Sequence, residues 1–161
     1  MYTRKGDGMK TAVIFIGLQA SGKTTFYNKY LNGLVHINLD TLHTRNAEAK
    51  VLTDCIEKGI SFAVDNTDPT TEDRQRYISP AKAAGYHITG YYFSSAVSGC
   101  RERNAQREGK AKVPDAAIYS TIKKLERPTY AEGFDELFYV RIDSENNDFI
   151  ISPWDTEEAG T

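Results

Sequence analysis

Residues 11–24 read TAVIFI-GLQASGKT, and this stretch decides the fold. The first six are apolar or β-branched and predict a buried strand. The next eight match G-x-x-x-x-G-K-S/T, a phosphate-binding loop. A Gly-rich turn between a buried strand and a helix start aims several backbone N–H groups at one spot. The helix dipole adds partial positive charge there, so the turn binds polyphosphate. Gly17 and Gly22 permit the tight backbone, Lys23 reaches β/γ-phosphates, and Thr24 offers a hydroxyl to Mg²⁺. The bland alternative is a chance Gly-rich turn. A full match with strand before and helix after speaks against it.

Bulk properties bound the rest. A chain of 161 residues suits one domain with a sizeable core. Its 40% hydrophobic and 26% charged residues are those of an ordinary globular protein. The net charge of −2 excludes binding of a polyanion by bulk charge alone. Cys55 and Cys100 have no metal or redox spacing, so reduced thiols and a cytoplasmic setting are expected. The apolar run Ala12 to Leu18 is too short to span a bilayer, and no signal peptide or membrane partner is expected. Residues 1–8 read as a flexible arm, or as an extension ahead of an alternative start at Met9.

Outward from the loop, strands and helices alternate. Lys23 to Leu31 predicts a helix stopped by Asn32-Gly33, and Leu34 to Leu39 a second strand ending at Asp40. Thr41 to Lys58 predicts a helix with Val51, Leu52, Cys55 and Ile56 on one face, closed by Gly59. Ile60 to Val64 reads as a third strand. Thr70 to Ala84 reads as a helix capped by Thr70 and kinked or split by Pro80, with Gly85 closing it. His87 to Phe93 is a fourth strand, Ser98 to Arg107 a helix, Pro114 opens another, and Leu137 to Ile142 is a fifth strand. Such alternation implies an α/β fold with a mostly parallel five-stranded sheet and helices on both faces. Residues 143–161 form an acidic C-terminal tail with six acids and no Lys or Arg. Phe149 to Trp154 are candidates to pack on the body, and the end is expected to be disordered.

Ligands of open α/β sheets bind beyond the carboxyl ends of the strands, which singles out Asp40, Asp65 and Ser94-Ser95. Asp40 has two readings: a carboxylate that accepts the proton of an attacking hydroxyl, or a cap of the following helix. Asp65 is either an acid on the Mg²⁺ side or a structural acid fixing the Asn66-Thr67 turn. From Arg101 to Arg127 there are eight basic residues against four acids. Arg103 and Arg107 share a helix face, so the segment reads as a lid closing on a triphosphate or as a solvated basic face. His36 and His87 read as half-buried strand residues, while His43 falls three residues after Asp40. Tyr91, Tyr92 and Phe93 read first as core.

Five stretches taken together resemble the kinase domain of polynucleotide 5′-kinases, a group with phage and animal members. They are GLQASGKTT at 17–25, HINLDTL at 36–42, AVDNTDPTTEDRQRY at 63–77, RNAQREGKAKVP at 103–114 and RPTYAEGF at 127–134. The resemblance implies a P-loop kinase three-layer sandwich over residues 9–142, with a helical lid at about 100–127. It implies ATP and Mg²⁺, with Lys23 and Thr24 on the phosphates and the metal and with Arg103 and Arg107 in the lid helix. The phosphate loop itself sets Gly17, Gln19, Ala20, Ser21, Gly22 and Thr25 around the nucleotide, and Asp65 keeps its two readings, a second acid toward the metal or a structural acid. It implies Asp40 as general base, Lys23 and Arg107 on the transferring phosphate, and Asp40, His43, Arg45, Asp65 and Thr67 near the acceptor.

The pattern is not complete. The family has an arginine at Leu39, and the phage pattern an arginine at His43; Arg45 lies close enough in sequence to compensate. These departures bear on the acceptor. Three readings follow: a kinase of 5′-hydroxyl DNA or RNA ends, a kinase of a small-molecule hydroxyl such as a nucleoside, sugar or nucleotide-sugar, and a non-catalytic ATP-binding module. No D-x-D-x-T motif occurs, so no 3′-phosphatase activity is expected.

Overall fold

The computed structural model describes residues 8–94 and 96–154. The expectations for the arm (1–7), for Ser95 and for the end of the tail (155–161) lie outside the described residues.

Six strands form one sheet in the order β2-β3-β1-β4-β5-β6. They are β1 (Thr11–Ile16), β2 (Val35–Ile37), β3 (Phe62–Val64), β4 (His87–Phe93), β5 (Glu136–Asp143) and β6 (Asp148–Pro153). The first five run parallel, and β6 returns antiparallel on β5. Helices α1 (Lys23–Phe26), α2 (Leu39–Leu42), α3 (Arg45–Lys58), α4 (Thr71–Ala83), α5 (Val97–Ala105) and α6 (Asp115–Lys124) cover the sheet and its carboxyl end. The fold is therefore that of the P-loop kinases.

Period-2 alternation on the central strand builds both halves of the core. Ala12, Ile14 and Ile16 face one way, into a cluster with Leu52 and Cys55 of α3 and Tyr77, Ile78 and Ala81 of α4. Val13 and Phe15 face the other way, onto Phe26, Tyr27 and Leu31. Every residue of β1 is buried, as a strand covered on both faces must be. Gly90 of β4 is required by packing: a Cβ there would come within 2.6 Å of Leu137 and 2.7 Å of Phe134.

The structure corrects several expectations. Five strands become six because Phe149 and Ile151 pack on the Phe26 side of the sheet, drawing residues 148–153 into a hairpin. The acidic tail thus begins inside the sheet. The second strand stops at Ile37, and Asp40 lies in a one-turn helix rather than at a strand end. The helix expected from Thr41 is broken at His43, whose φ of 69° is left-handed, and restarts behind the Thr44 cap. Pro80 does not split α4. Its missing N–H deprives only the Arg76 carbonyl of an intrahelical partner, on an exposed face open to solvent. Thr70 does cap α4, accepting the Asp73 N–H at 3.1 Å.

Candidate active site

The phosphate loop leaves β1 and enters α1 at Lys23. Ala20 (φ 60°) and Gly22 (φ 100°) are left-handed, which curls the chain so that its amides turn inward. Three side contacts fix the curl. The Gly17 N–H donates to the Thr67 carbonyl at 3.0 Å. Arg103 Nε donates to the Ala20 carbonyl at 2.6 Å. Gln19 Nε2 donates to Thr121 Oγ1 at 3.0 Å. Helices α5 and α6 are thereby docked on the loop, over a small core of Leu18, Cys100 and Ile118. Cys55 and Cys100 are free thiols, both buried.

Lys23 is buried, and its ammonium donates to the Gly17 and Leu18 carbonyls (2.9 and 2.5 Å) and to Ser21 Oγ (3.3 Å). Burial pushes its pKa down to about 8, against the opposing pull of the Asp65 carboxylate. Thr24 Oγ1 donates to Asp65 Oδ2 at 2.6 Å, and His36 Nε2 lies 2.8 Å from the same oxygen.

The turns after β2 and β3 are knitted together. Asn38 caps α2, accepting the Thr41 N–H at 3.2 Å while its Nδ2 donates to the Asp65 carbonyl at 2.6 Å. Asn66 Oδ1 accepts the Leu39 N–H at 3.0 Å, and Asn66 Nδ2 donates to Glu48 Oε2 at 2.9 Å. Glu48 is buried and also receives Tyr77 OH (3.0 Å) and Arg45 Nη1 (2.9 Å). Burial, with the neighbouring Asp68 and Glu48 side chains, pushes the Tyr77 hydroxyl well above its ordinary pKa and keeps it protonated.

One cavity of about 250 Å³ joins these parts. Lys23, Thr24, Asp40, Asp65, Thr67 and Arg107 all line it, with Gln19 and Ala20. The expected site residues otherwise divide. Gly17, Ser21 and Gly22 shape the loop from behind, and Thr25 is exposed beyond the cavity wall. Arg103 braces the loop through Ala20 instead of facing the cavity. Arg107 faces it, with Nη1 on the Ala111 carbonyl at 3.2 Å. His43 and Arg45 are not part of the lining. The left-handed turn puts His43 on the surface, and Glu48 and Tyr77 hold the Arg45 guanidinium. The basic segment splits in two: Arg101 pairs with Asp115 in solvent, while Arg103 and Arg107 turn inward.

Reading the sequence missed Asn38, Asn66, Glu48 and His36. Asn38 was detectable as an Asx cap three residues before Thr41. Nothing local marks the other three as members of the site: Asn66 meets Glu48 18 residues away and Leu39 27 residues away, and His36 meets Asp65 29 residues away.

The donor set suits Mg²⁺. Thr24 and Asp65 offer a hydroxyl and a carboxylate oxygen 2.6 Å apart, and no group of three His, Cys, Asp or Glu is gathered for a metal among the described residues. Mg²⁺ is ordinarily held this way, by one or two side chains plus substrate phosphates and water. No helix among the described residues is long and apolar enough to cross a membrane.

Comparisons with known proteins agree with this architecture. The family described as AAA domain matches residues 43–128, just over half of the chain. A bifunctional polynucleotide phosphatase/kinase of Schizosaccharomyces pombe is 28% identical over 138 residues, covering 83% of this chain and 34% of that protein. A protein of Acanthamoeba polyphaga mimivirus, provisionally described as the same kind of bifunctional enzyme, is 30% identical over 136 residues, covering 80% of this chain and 32% of that one. The chain thus spans about a third of the length of the curated relatives it matches. Among solved structures, Chaetomium thermophilum Kti12 in complex with ADP-AlF3 superposes with a TM-score of 0.65 at 18% identity, over 84% of this chain and 93% of that one, a likeness of fold.

Proposed function

We propose that this chain, which belongs to the AAA-domain family and is polynucleotide-kinase-like, transfers the γ-phosphoryl group of ATP to the 5′-hydroxyl end of DNA or RNA. The observation that carries the reading is one cavity lined at once by Lys23, Thr24, Asp65, Asp40 and Arg107. A passive nucleotide binder has no need of an exposed carboxylate across the cavity from its phosphate loop.

In this mechanism the loop amides and Lys23 hold the β- and γ-phosphates. Thr24 and Asp65 hold Mg²⁺, which when bound neutralises charge on the phosphate oxygens. Asp40 orients the acceptor hydroxyl and takes its proton as the oxygen bonds to the γ-phosphorus. The bond from that phosphorus to the β,γ-bridging oxygen breaks, and ADP carries the electron pair away. Arg107 stabilises the equatorial oxygens during transfer. Arg103 acts indirectly, by holding the Ala20 carbonyl and hence the loop.

A second reading, a small-molecule hydroxyl as acceptor, draws on the neutral wall around Asp40. Asn38, Leu39, Asn66, Thr67, Ala111 and Val113 carry no charge, and Arg45 is engaged elsewhere. Labelled ATP offered with 5′-hydroxyl DNA and RNA oligonucleotides, nucleosides and sugars separates the two. Asp40→Asn is expected to keep ATP affinity and to lose about 10²–10⁴-fold in transfer, the usual worth of a general base. Substantial transfer by Asp40→Asn would overturn the base assignment. Affinity for a nucleic-acid acceptor falls steeply with salt, and affinity for a small neutral acceptor does not.

A further inference from the structure

The mechanism above leaves His36 without a task, yet its ring is more constrained than an edge-strand histidine requires. It lies on β2, whose neighbour β3 runs directly into Asp65. The Asp65 main chain is fixed twice, its N–H by the Ile37 carbonyl at 2.8 Å and its own carbonyl by Asn38. Neither bond governs rotation of the carboxylate about its side-chain torsions. Two side chains do: Thr24 Oγ1 and His36 Nε2 both meet Oδ2. An ionised carboxylate only accepts, so the Nε2 that meets it carries the proton.

The ring itself is clamped. It stacks on Tyr27 at 4.1 Å between centroids and 15° between planes. Tyr27 is anchored in turn, its OH donating to the Leu34 carbonyl at 2.6 Å. Tyr27 follows Thr24 by three residues on the same helical stretch, which changes to π-helical winding at Tyr27. Thr24, Asp65, His36 and Tyr27 therefore close a circuit around one carboxylate oxygen, and such winding often marks functional positions.

We propose that His36 is the positioning residue of the metal-side carboxylate. Its N–H holds Asp65 Oδ2 turned toward Thr24, so that the hydroxyl and carboxylate meet Mg²⁺ already oriented. The inference rests on the reading that Thr24 and Asp65 hold Mg²⁺. Outer partners of this type are typically worth about 10–100-fold in metal affinity.

The test is the gain in affinity for a fluorescent ATP analogue between EDTA and Mg²⁺, measured on the full chain. His36→Phe retains an aromatic ring to stack on Tyr27 and removes the donor. It is expected to reduce the Mg²⁺-dependent gain by about tenfold or more, with affinity in EDTA unchanged. His36→Gln restores a donor near the Nε2 position and is expected to recover most of the gain. A wild-type gain in His36→Phe, or an equal loss in EDTA and Mg²⁺, overturns the proposal. So does rescue by Phe and failure by Gln, which would mean that the ring acts only by packing. Asp65→Asn separates the two levels. If it leaves the gain intact, the metal-side reading itself fails; if it abolishes the gain while His36→Phe does not, only the role of His36 falls.

Discussion

Replacing Arg74 with Met tests how the site is held from beneath. Arg74 is completely buried on α4, although Arg is among the residues least often found inside. Its Nε and Nη2 grip both oxygens of Glu132, at 2.7 and 3.2 Å. Its Nη1 donates to the Asp68 and Pro69 carbonyls, at 3.0 and 3.2 Å. That turn leads back to Thr67, whose carbonyl receives the Gly17 N–H of the phosphate loop. Met fills similar volume but leaves a buried carboxylate and two carbonyls short of a donor. Breaking a buried ion pair this way costs about 3–5 kcal/mol. Glu132 Oε2 keeps the Thr129 N–H at 2.8 Å, so the loss should fall near 3 kcal/mol, the lower end of that range. A domain of this size loses about 2–4 °C in Tm per kcal/mol, so melting should drop by about 6–12 °C. Urea unfolding followed by circular dichroism measures the free energy directly. The double variant Arg74→Met/Glu132→Gln, which removes the stranded charge, should recover at least about 1 kcal/mol of coupling. A single-variant loss below about 1 kcal/mol, or strictly additive losses in the double variant, would refute the reasoning.

Three further predictions follow from the site. Lys23 titrates near pH 8 in the free protein, and phosphate oxyanions favour its charged form. ATP binding at pH 8.5 should therefore take up a fraction of a proton and weaken as pH rises further; calorimetry in two buffers of different ionisation enthalpy reads this, and identical heats would refute it. Gly22→Ala forces a Cβ onto a φ of 100° and to 3.0 Å from Phe149 Cε1, so about 1–3 kcal/mol of stability should be lost by urea midpoint, with ATP affinity falling alongside. Asn66→Ala frees the Leu39 N–H and so loosens the turn that carries Asp40. Steady-state kinetics should show kcat down by up to about 100-fold with KM for ATP little changed, and a change in KM alone would refute the link.

Much of the fold was legible because its signals are local. TAVIFI is apolar without alternation, which only a strand covered on both faces requires, and β1 is that strand. The strand β1, the loop and the helix start at Lys23 appear as read, although the helix expected to Leu31 turns π-helical at Tyr27. The Thr70 cap and the bounds of β4 also appear as read. What failed was also local in cause. The stretch LVHINL is β-rich, but Asn38 bonds the Thr41 N–H and starts a helical turn, so the strand ends early. The hairpin of β5 and β6 was hidden because acids dominate residues 143–161, whereas the decisive apolar pair is only Phe149 and Ile151.

The sequence by itself determined the phosphate loop, the parallel α/β order and the candidacy of Asp40, Lys23, Thr24, Asp65 and Arg107. Spacing and period carry that information, because backbone geometry acts over a few residues. Only the tertiary structure decided which of two nearby arginines faces the cavity. Arg103 braces Ala20, and Arg107 lines the cavity. It also decided that Arg45 serves Glu48, and that His36 meets Asp65 across two strands. Long, flexible or rotatable side chains take the partner that folding brings within hydrogen-bond reach, and that partner is set by strand order, which no local pattern encodes.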